Sequence, residues 1–313
     1  MARILSLTLN PALDLTVRLP LLEPGQVNRC EAVISHAAGK GLNVAQVLAD
    51  LGHELTVAGF LGADNPQAFE ALFLRRGFRD EFVRVPGETR SNIKLAEAGG
   101  RITDLNGPGP EVSVEAQAEL LARLDAIAPG HELAVVAGSL PRGVSPEWFA
   151  ELLARLKRLG LRVALDTSGA ALHAGLAAVP WLIKPNTEEL AEACGTPVVS
   201  RAAQADVAQR LHAQGIEQIV ISQGAEGVHW FGPVQVLAAL PPKVKVASTV
   251  GAGDSLLAGM LHGLLSGWPA ERTLRHATAI AAQAVTQIGF GIGDAAQLAR
   301  LESAVQVSAL PEQ

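Results

Sequence analysis

Short apolar runs alternate with longer stretches of helical period along this chain. RILSLTL, LAVVAG, LRVALD and IEQIVIS have strand length and are rich in leucine and β-branched residues, whereas PEWFAELLARLKRLG repeats its apolar positions every three to four residues. Such alternation predicts βαβ units, and hence an α/β fold: a doubly wound, mainly parallel sheet with helices on both faces. Two stretches break the rhythm. One runs from Leu13 to Ser35; the other, DEFVRVPGETRSNIKLAEAGGRITDL over about Phe82 to Leu105, reads as strand, turn, strand, Gly-Gly turn, strand. Together they predict a small antiparallel β-sheet lid standing off the main body, which needs its apolar face covered by a ligand or by a second chain. No internal repeat, low-complexity tract or Pro/Ser-rich linker interrupts the pattern. A single domain over 1–313 is expected, with the lid built from about 13–35 and 82–105 inserted in it.

About half of the 313 residues are apolar, enough for a sizeable core. The net charge of −6 comes from scattered acids and bases without a basic run, and the four tryptophans stand far apart, which argues against a nucleic-acid partner. Only Cys30 and Cys194 occur, with neither disulfide nor zinc spacing. The first apolar run meets Pro11 and Asp14 before a signal core could form, and no segment reaches about 18 uninterrupted apolar residues. A soluble protein of a reducing cytoplasm, without a membrane partner, is the expectation.

The stretch STVGAGDSLLAGM, Ser248 to Met260, carries the first candidate chemistry. It fails the Rossmann fingerprint because Leu256 stands where a third glycine is needed. A Walker A loop also fails, since Gly41 follows the Gly39-Lys40 pair. A strand ending near Thr249, running through Gly251, Ala252 and Gly253 into an apolar helix, would leave first-turn amides and a dipole that favour an anion. Asp254 beside them has two readings: a helix N-cap, or a base that takes a hydroxyl proton while the amides hold a phosphoryl group. A second stretch, HAAGKGLNVAQVLADLG, turns through Gly39 and Gly41 into an amphipathic helix and offers Lys40 and Asn43 to an anionic polyhydroxy ligand. Upstream, Asp14 is either a turn residue or an acceptor for sugar hydroxyls.

The blocks TLNPALD, AAGKGLNVA, SNIKL, GSLPRGVSP, LDTSGAAL, KPNTEEL, ISQGAEGV and STVGAGDSLLAG, taken in order from about residue 8 to the 280s, resemble the phosphofructokinase B family of ribokinase-like sugar kinases. That resemblance implies a ribokinase-like fold, ATP and Mg²⁺ as cofactors, and Asp254 as catalytic base with the amides of Gly251, Ala252 and Gly253 as anion hole. It implies that Asp14, Gly39, Lys40 and Asn43 hold sugar hydroxyls, and that Arg90 and Ser139 approach a sugar phosphate. Arg29, in the lid, would reach a neighbouring subunit's substrate. On the nucleotide side, Lys184 and Asn186 would face phosphates, and Glu189 would orient hydrated magnesium. Ser222, Gly224 and Gly227 would wrap the nucleotide, together with Ser248 and Thr249; a monovalent cation such as K⁺ would sit near the Ser248 and Val250 carbonyls. AAGKGLNVAQVL preceded by VNR, and DLNGPGPEVS, are most similar to family members that phosphorylate fructose 1-phosphate at its 6-hydroxyl. Kinases of tagatose 6-phosphate or fructose 6-phosphate, a non-catalytic sugar-phosphate sensor and a nucleoside kinase are the alternatives. A homodimer through the lid is implied as well. The histidines show no metal spacing and Cys194 has no flanking cation, so the histidines are expected to be surface or packing residues and Cys194 to be inert.

Overall fold

The computed structural model describes residues 1–310. Among them fifteen strands form two sheets: β1 (Arg3–Thr8), β2 (Ala12–Leu19), β3 (Ala32–Ala38), β4 (Glu54–Gly62), β5 (Arg79–Asp80), β6 (Val83–Val85), β7 (Ser91–Glu97), β8 (Ile102–Asn106), β9 (Leu133–Ala137), β10 (Arg162–Asp166), β11 (Leu182–Ile183), β12 (Gln218–Ser222), β13 (Val228–Phe231), β14 (Val236–Leu240) and β15 (Gln306–Ala309). The large sheet has the order β15-β14-β13-β12-β11-β10-β9-β1-β4-β5, with β6 also on β4; it is parallel from β12 to β5 and antiparallel beyond. The four runs predicted as strands are β1, β9, β10 and β12.

Two apolar layers cover this sheet. In β1, Ile4 points into one and Leu5 and Leu7 into the other, the alternation a two-sided strand demands. Helices 40–50, 67–76, 252–265, 270–284 and 295–304 pack on the first face; helices 114–127, 146–158, 169–177, 187–194 and 201–213 pack on the second. Helix Ala252–Leu265 lies deepest. A Cβ at its Gly259 would stand 2.5 Å from Ala277 Cα, so this glycine is what lets helix Ala270–Ala284 approach. Helix Lys40–Asp50 places its end charges against its dipole, a cation at the amino end and an acid at the carboxyl end. Each reversal costs up to about 1 kcal/mol unless a partner offsets it. No described helix is long and apolar enough to cross a membrane.

The lid is a four-stranded sheet of order β3-β2-β7-β8, and it corrects two expectations. It is mixed rather than antiparallel, because β2 and β7 pair in parallel at its centre. Both leave the same end of the large sheet, after β1 and after β6, and therefore travel outward together. The stretch beginning at Phe82 contributes its first strand, β6, to the large sheet instead of to the lid. A third correction concerns the approach to GAGD. Strand β14 stops at Leu240, Pro241 and Pro242 follow, and 241–250 is irregular rather than a strand; the amides of Ala247 and Ser248 bond the Val285 carbonyl.

Away from the strand ends, His53 Nε2 meets His262 Nδ1 at 2.9 Å, and Ala2 N donates to His53 Nδ1, so His53 gives its one ring proton to His262. Burial, then the neighbouring His53, His276, Arg272 and the amino terminus, push the His262 pKa down to about 4. The folded state therefore holds His262 neutral, and its contribution is complete above pH 6.5 and lost as the pH falls toward 4, by up to ~3 kcal/mol. Denaturant unfolding at pH 7.5, 5.5 and 4.5 should show this loss, and His262→Gln should flatten it; an equally steep loss in the variant would refute the assignment.

Candidate active site

Strands β4 and β9 flank β1 on opposite sides, so the crossovers diverge there and a crevice opens beyond the carboxyl ends of the strands. A cavity of about 340 Å³ occupies it, lined by residues that follow β1, β10, β11 and β12 and by the turn at Gly251. A second cavity of about 270 Å³ shares Asp14, Asn92 and Val250 with the first and lies beneath the lid.

Asp254 is the third residue of helix Ala252–Leu265 and is 6% exposed. It does not cap that helix. Gly251 is the N-cap, at φ 81°, and among the described residues no side chain caps the helix. The carboxylate instead accepts from Asn43 Nδ2 at 2.8 Å, across 211 residues of chain. Burial pushes its pKa up to about 6 and the Asp166 charge adds to the rise, against the Asn43 hydrogen bond and the charges of Lys40 and Lys184. A carboxylate poised near neutrality beside uncapped amides suits a base next to a bound anion.

Asp166 closes β10, 1% exposed, and stands between two cations: Oδ1 lies 3.1 Å from Lys40 Nζ and Oδ2 lies 3.2 Å from Lys184 Nζ. Burial alone would raise its pKa, but the two ammonium groups outweigh burial and hold it below the usual carboxylate range. Lys40 is likewise disfavoured by burial and kept charged by Asp166, then Asp254 and Glu189. Asp166 carries no role in the sequence-based expectations; the signal LDTSGAAL offers for it is an acid ending a central parallel strand.

On the wall nearest the lid, Asp14 Oδ1 accepts from Asn92 Nδ2 at 3.1 Å, and burial raises the Asp14 pKa. Asn43 Oδ1 and Asn92 Oδ1 are buried with no hydrogen-bond partner among the described residues, two acceptors that hydroxyl donors of a polyol would satisfy. Arg90 donates from Nη2 to the Asn10 carbonyl and from Nε to the Pro11 carbonyl, which aims the guanidinium into the cavity without a carboxylate on it. Gly39 begins the helix at φ 140°, where a Cβ would lie 2.6 Å from Thr8 Cγ2.

The opposite wall holds Lys184, Asn186, Glu189 and Ser222. Asn186 and Glu189 form a capping box: Asn186 Oδ1 accepts from Glu189 N at 2.7 Å and Glu189 Oε2 accepts from Asn186 N at 2.9 Å. The NxxE spacing thus has a local structural cause, and Glu189 also lines the cavity. Gly253 faces this wall; a Cβ there would stand 3.2 Å from Lys184 Nζ, so the bare backbone leaves room for an anion between amide and ammonium.

Not every expected residue lines the first cavity. Ser139 is exposed and accepts from Asn10 Nδ2 at 3.2 Å. Gly224 and Gly227 bound a short turn after β12, Ser248 lines the second cavity, and Thr249 is exposed. Ala252 contributes helix backbone, and Arg29 is exposed in the loop between β2 and β3. Among the described residues no group of three or more His, Cys, Asp or Glu side chains forms a metal cluster, and burial raises the Cys194 thiol pKa.

A family model described as pfkB family carbohydrate kinase matches residues 7–296. The 1-phosphofructokinase of Vibrio cholerae is 48% identical over 98% of this chain and 97% of its own length. That of Escherichia coli K12 is 44% identical over 97% and 98%. Among solved structures, phosphofructokinase-2 from Escherichia coli in complex with fructose-6-phosphate superposes with a TM-score of 0.87 at 27% identity, over 97% of this chain and 99% of that one. The same enzyme in complex with potassium gives 0.88 at 28%, with the same coverage. A match over most of the chain, on a fold that brings residues of seven of the eight blocks to one crevice, establishes that the chain belongs to the pfkB family of carbohydrate kinases.

Proposed function

We propose that this carbohydrate kinase is a 1-phosphofructokinase, transferring the γ-phosphoryl group of ATP to the 6-hydroxyl of fructose 1-phosphate to give fructose 1,6-bisphosphate and ADP. The relatives at 44–48% identity support the substrate. The observation that carries the reaction class is the buried Asp254, its pKa near 6, at the mouth of a helix that no side chain among the described residues caps.

In this reading Asp254 accepts the 6-hydroxyl proton as O6 attacks the γ-phosphorus. The bond from phosphorus to the β,γ-bridging oxygen breaks, and ADP leaves with the electron pair. The amides of Gly251 to Asp254 face the transferring group, where charge stabilisation counts most. Lys184 and Asn186 serve the nucleotide phosphates; Asp14, Asn43 and Asn92 hold sugar hydroxyls, and Arg90 with Lys40 meets the phosphate that the sugar already carries. Magnesium, when bound, neutralises and orients the ATP phosphates. The residues suit it, because Mg²⁺ keeps most of its waters and needs few carboxylates, and Glu189 spends only Oε2 on its cap. The Ser248 and Val250 carbonyls would serve K⁺, on the analogy of the potassium-bound relative.

The test is ADP release with fructose 1-phosphate, fructose 6-phosphate and tagatose 6-phosphate. The highest kcat/KM is expected for fructose 1-phosphate, by tenfold or more, as about 1.4 kcal/mol of discrimination requires. A higher value for either of the others would overturn the substrate, and binding without turnover would mark a sensor.

A dimer through the lid completes this reading. Alternation sends Asp14 and Thr16 toward the cavities and sets the row Val33-Val17-Leu95 and the pair Ile93-Leu105 on the other face, with Val33 57% and Leu105 51% exposed. An apolar sheet face of this kind calls for cover. Light scattering at micromolar concentration should give twice the chain mass, and Val17→Glu should return the monomer; a monomeric native chain would refute it.

A further inference from the structure

The two reversed end charges of helix Lys40–Asp50 need separate explanations. Lys40 has its partner in Asp166. Asp50 lies outside both cavities, yet it is engaged on three sides. Arg76 Nη1 reaches its Oδ1 at 2.6 Å, Arg76 Nη2 reaches Oδ2 at 3.4 Å, and the backbone amide of Ile292 donates to Oδ2 at 2.8 Å. The preceding residue fits this contact only as glycine: Gly291 has φ 101°, and a Cβ on it would stand 2.5 Å from Asp50 Oδ2 and 2.6 Å from Arg76 Nη2.

One residue earlier, the ring of Phe290 lies against Gly251. A Cβ on Gly251 would be 3.0 Å from both Phe290 Cδ1 and Cε1. Gln287 Nε2 also donates to the Gly291 carbonyl at 2.8 Å, and at the start of the segment the Val285 carbonyl accepts from Ala247 and Ser248. Helix Lys40–Asp50 therefore meets the catalytic turn twice. Near its amino end Asn43 holds Asp254, and at its carboxyl end Asp50 holds the segment that packs on Gly251.

We propose that Asp50 is a positioning residue for phosphoryl transfer, acting through the Gly291–Ile292 backbone and Phe290 to fix Gly251 and the amides that follow it. This rests on the reading of those amides as the anion hole. A hole aimed at charge that develops during transfer acts on kcat more than on binding, and displacement by about 1 Å costs up to a hundredfold. Asp50→Ala should lower kcat about tenfold while KM for ATP and for fructose 1-phosphate stays within about threefold. Asp50→Asn keeps an acceptor for the Ile292 amide and should lose only about two- to threefold, which also guards against a misfolded alanine variant.

The decisive measurement is a double-mutant cycle with Phe290→Ala. If Asp50 acts through Phe290, the double variant loses about as much as the worse single one. Multiplying losses would overturn the proposal, as would an Asp50→Ala variant with lowered melting temperature and unchanged kcat. Failure of the function itself would look different: the unmodified protein would then show no turnover of fructose 1-phosphate at all.

Discussion

Asp254→Asn should abolish most of the turnover while leaving the protein at least as stable as before. Loss of the proposed base should lower kcat by about 10³, within the 10²–10⁴ such groups supply, and the amides and lysines proposed to bind the phosphates are untouched, so both KM values should stay within about threefold. The pH profile should change in a specific way. With the Asp254 pKa near 6, kcat/KM of the unmodified enzyme falls about tenfold per pH unit below 6, because only the ionised carboxylate accepts a proton. The residual activity of the asparagine variant should lack that limb. Stability moves the other way. A carboxyl group whose pKa rises on folding is ionised at neutral pH at a cost to the folded state, so removing the charge should leave the denaturation midpoint unchanged or raise it. Near-normal kcat in the variant would refute the base; a large loss of stability would refute the electrostatic account of its burial.

The sequence makes the large sheet legible because β1, β9, β10 and β12 are buried on both faces and read as continuous apolar runs. The lid is legible as an interruption, yet its topology is not, since parallel pairing of β2 with β7 joins residues 78 apart and no local turn announces it. The site separates in the same way. Asp254, Lys40 and Lys184 stand next to glycines or a proline that punctuate the pattern, so the sequence offers them as candidates. Asp166 ends a strand with no such mark, and Asp50 ends a helix; what each does depends on partners 126 and 242 residues away. Glu189 shows the converse. Its spacing from Asn186 stands out in the sequence, and the capping box gives that spacing a local cause that calls for no metal.

Asp166→Asn should produce the second large effect, and it separates scaffolding from electrostatic tuning. Removing this carboxylate leaves Lys184, 4% exposed, and Lys40 without the anion they share. Breaking a buried ion pair from one side costs about 3–5 kcal/mol, which an amide that still accepts a hydrogen bond reduces toward ~2 kcal/mol. With Lys40 proposed for the sugar side and Lys184 for the nucleotide side, both KM values should rise together, about tenfold each, as a change confined to one subsite would not do. A stability loss alone would fit a purely structural residue, and the pH profile distinguishes the two. The Asp166 charge is one of the causes that raise the Asp254 pKa, whereas Lys40 and Lys184 lower it. In the variant the opposing anion is gone and both cations remain, so Asp254 ionises at lower pH and the acid limb of kcat/KM moves below 6. An acid limb that stays near 6 in Asp166→Asn, whatever happens to the melting temperature, would show that Asp166 holds the two lysines without tuning the base.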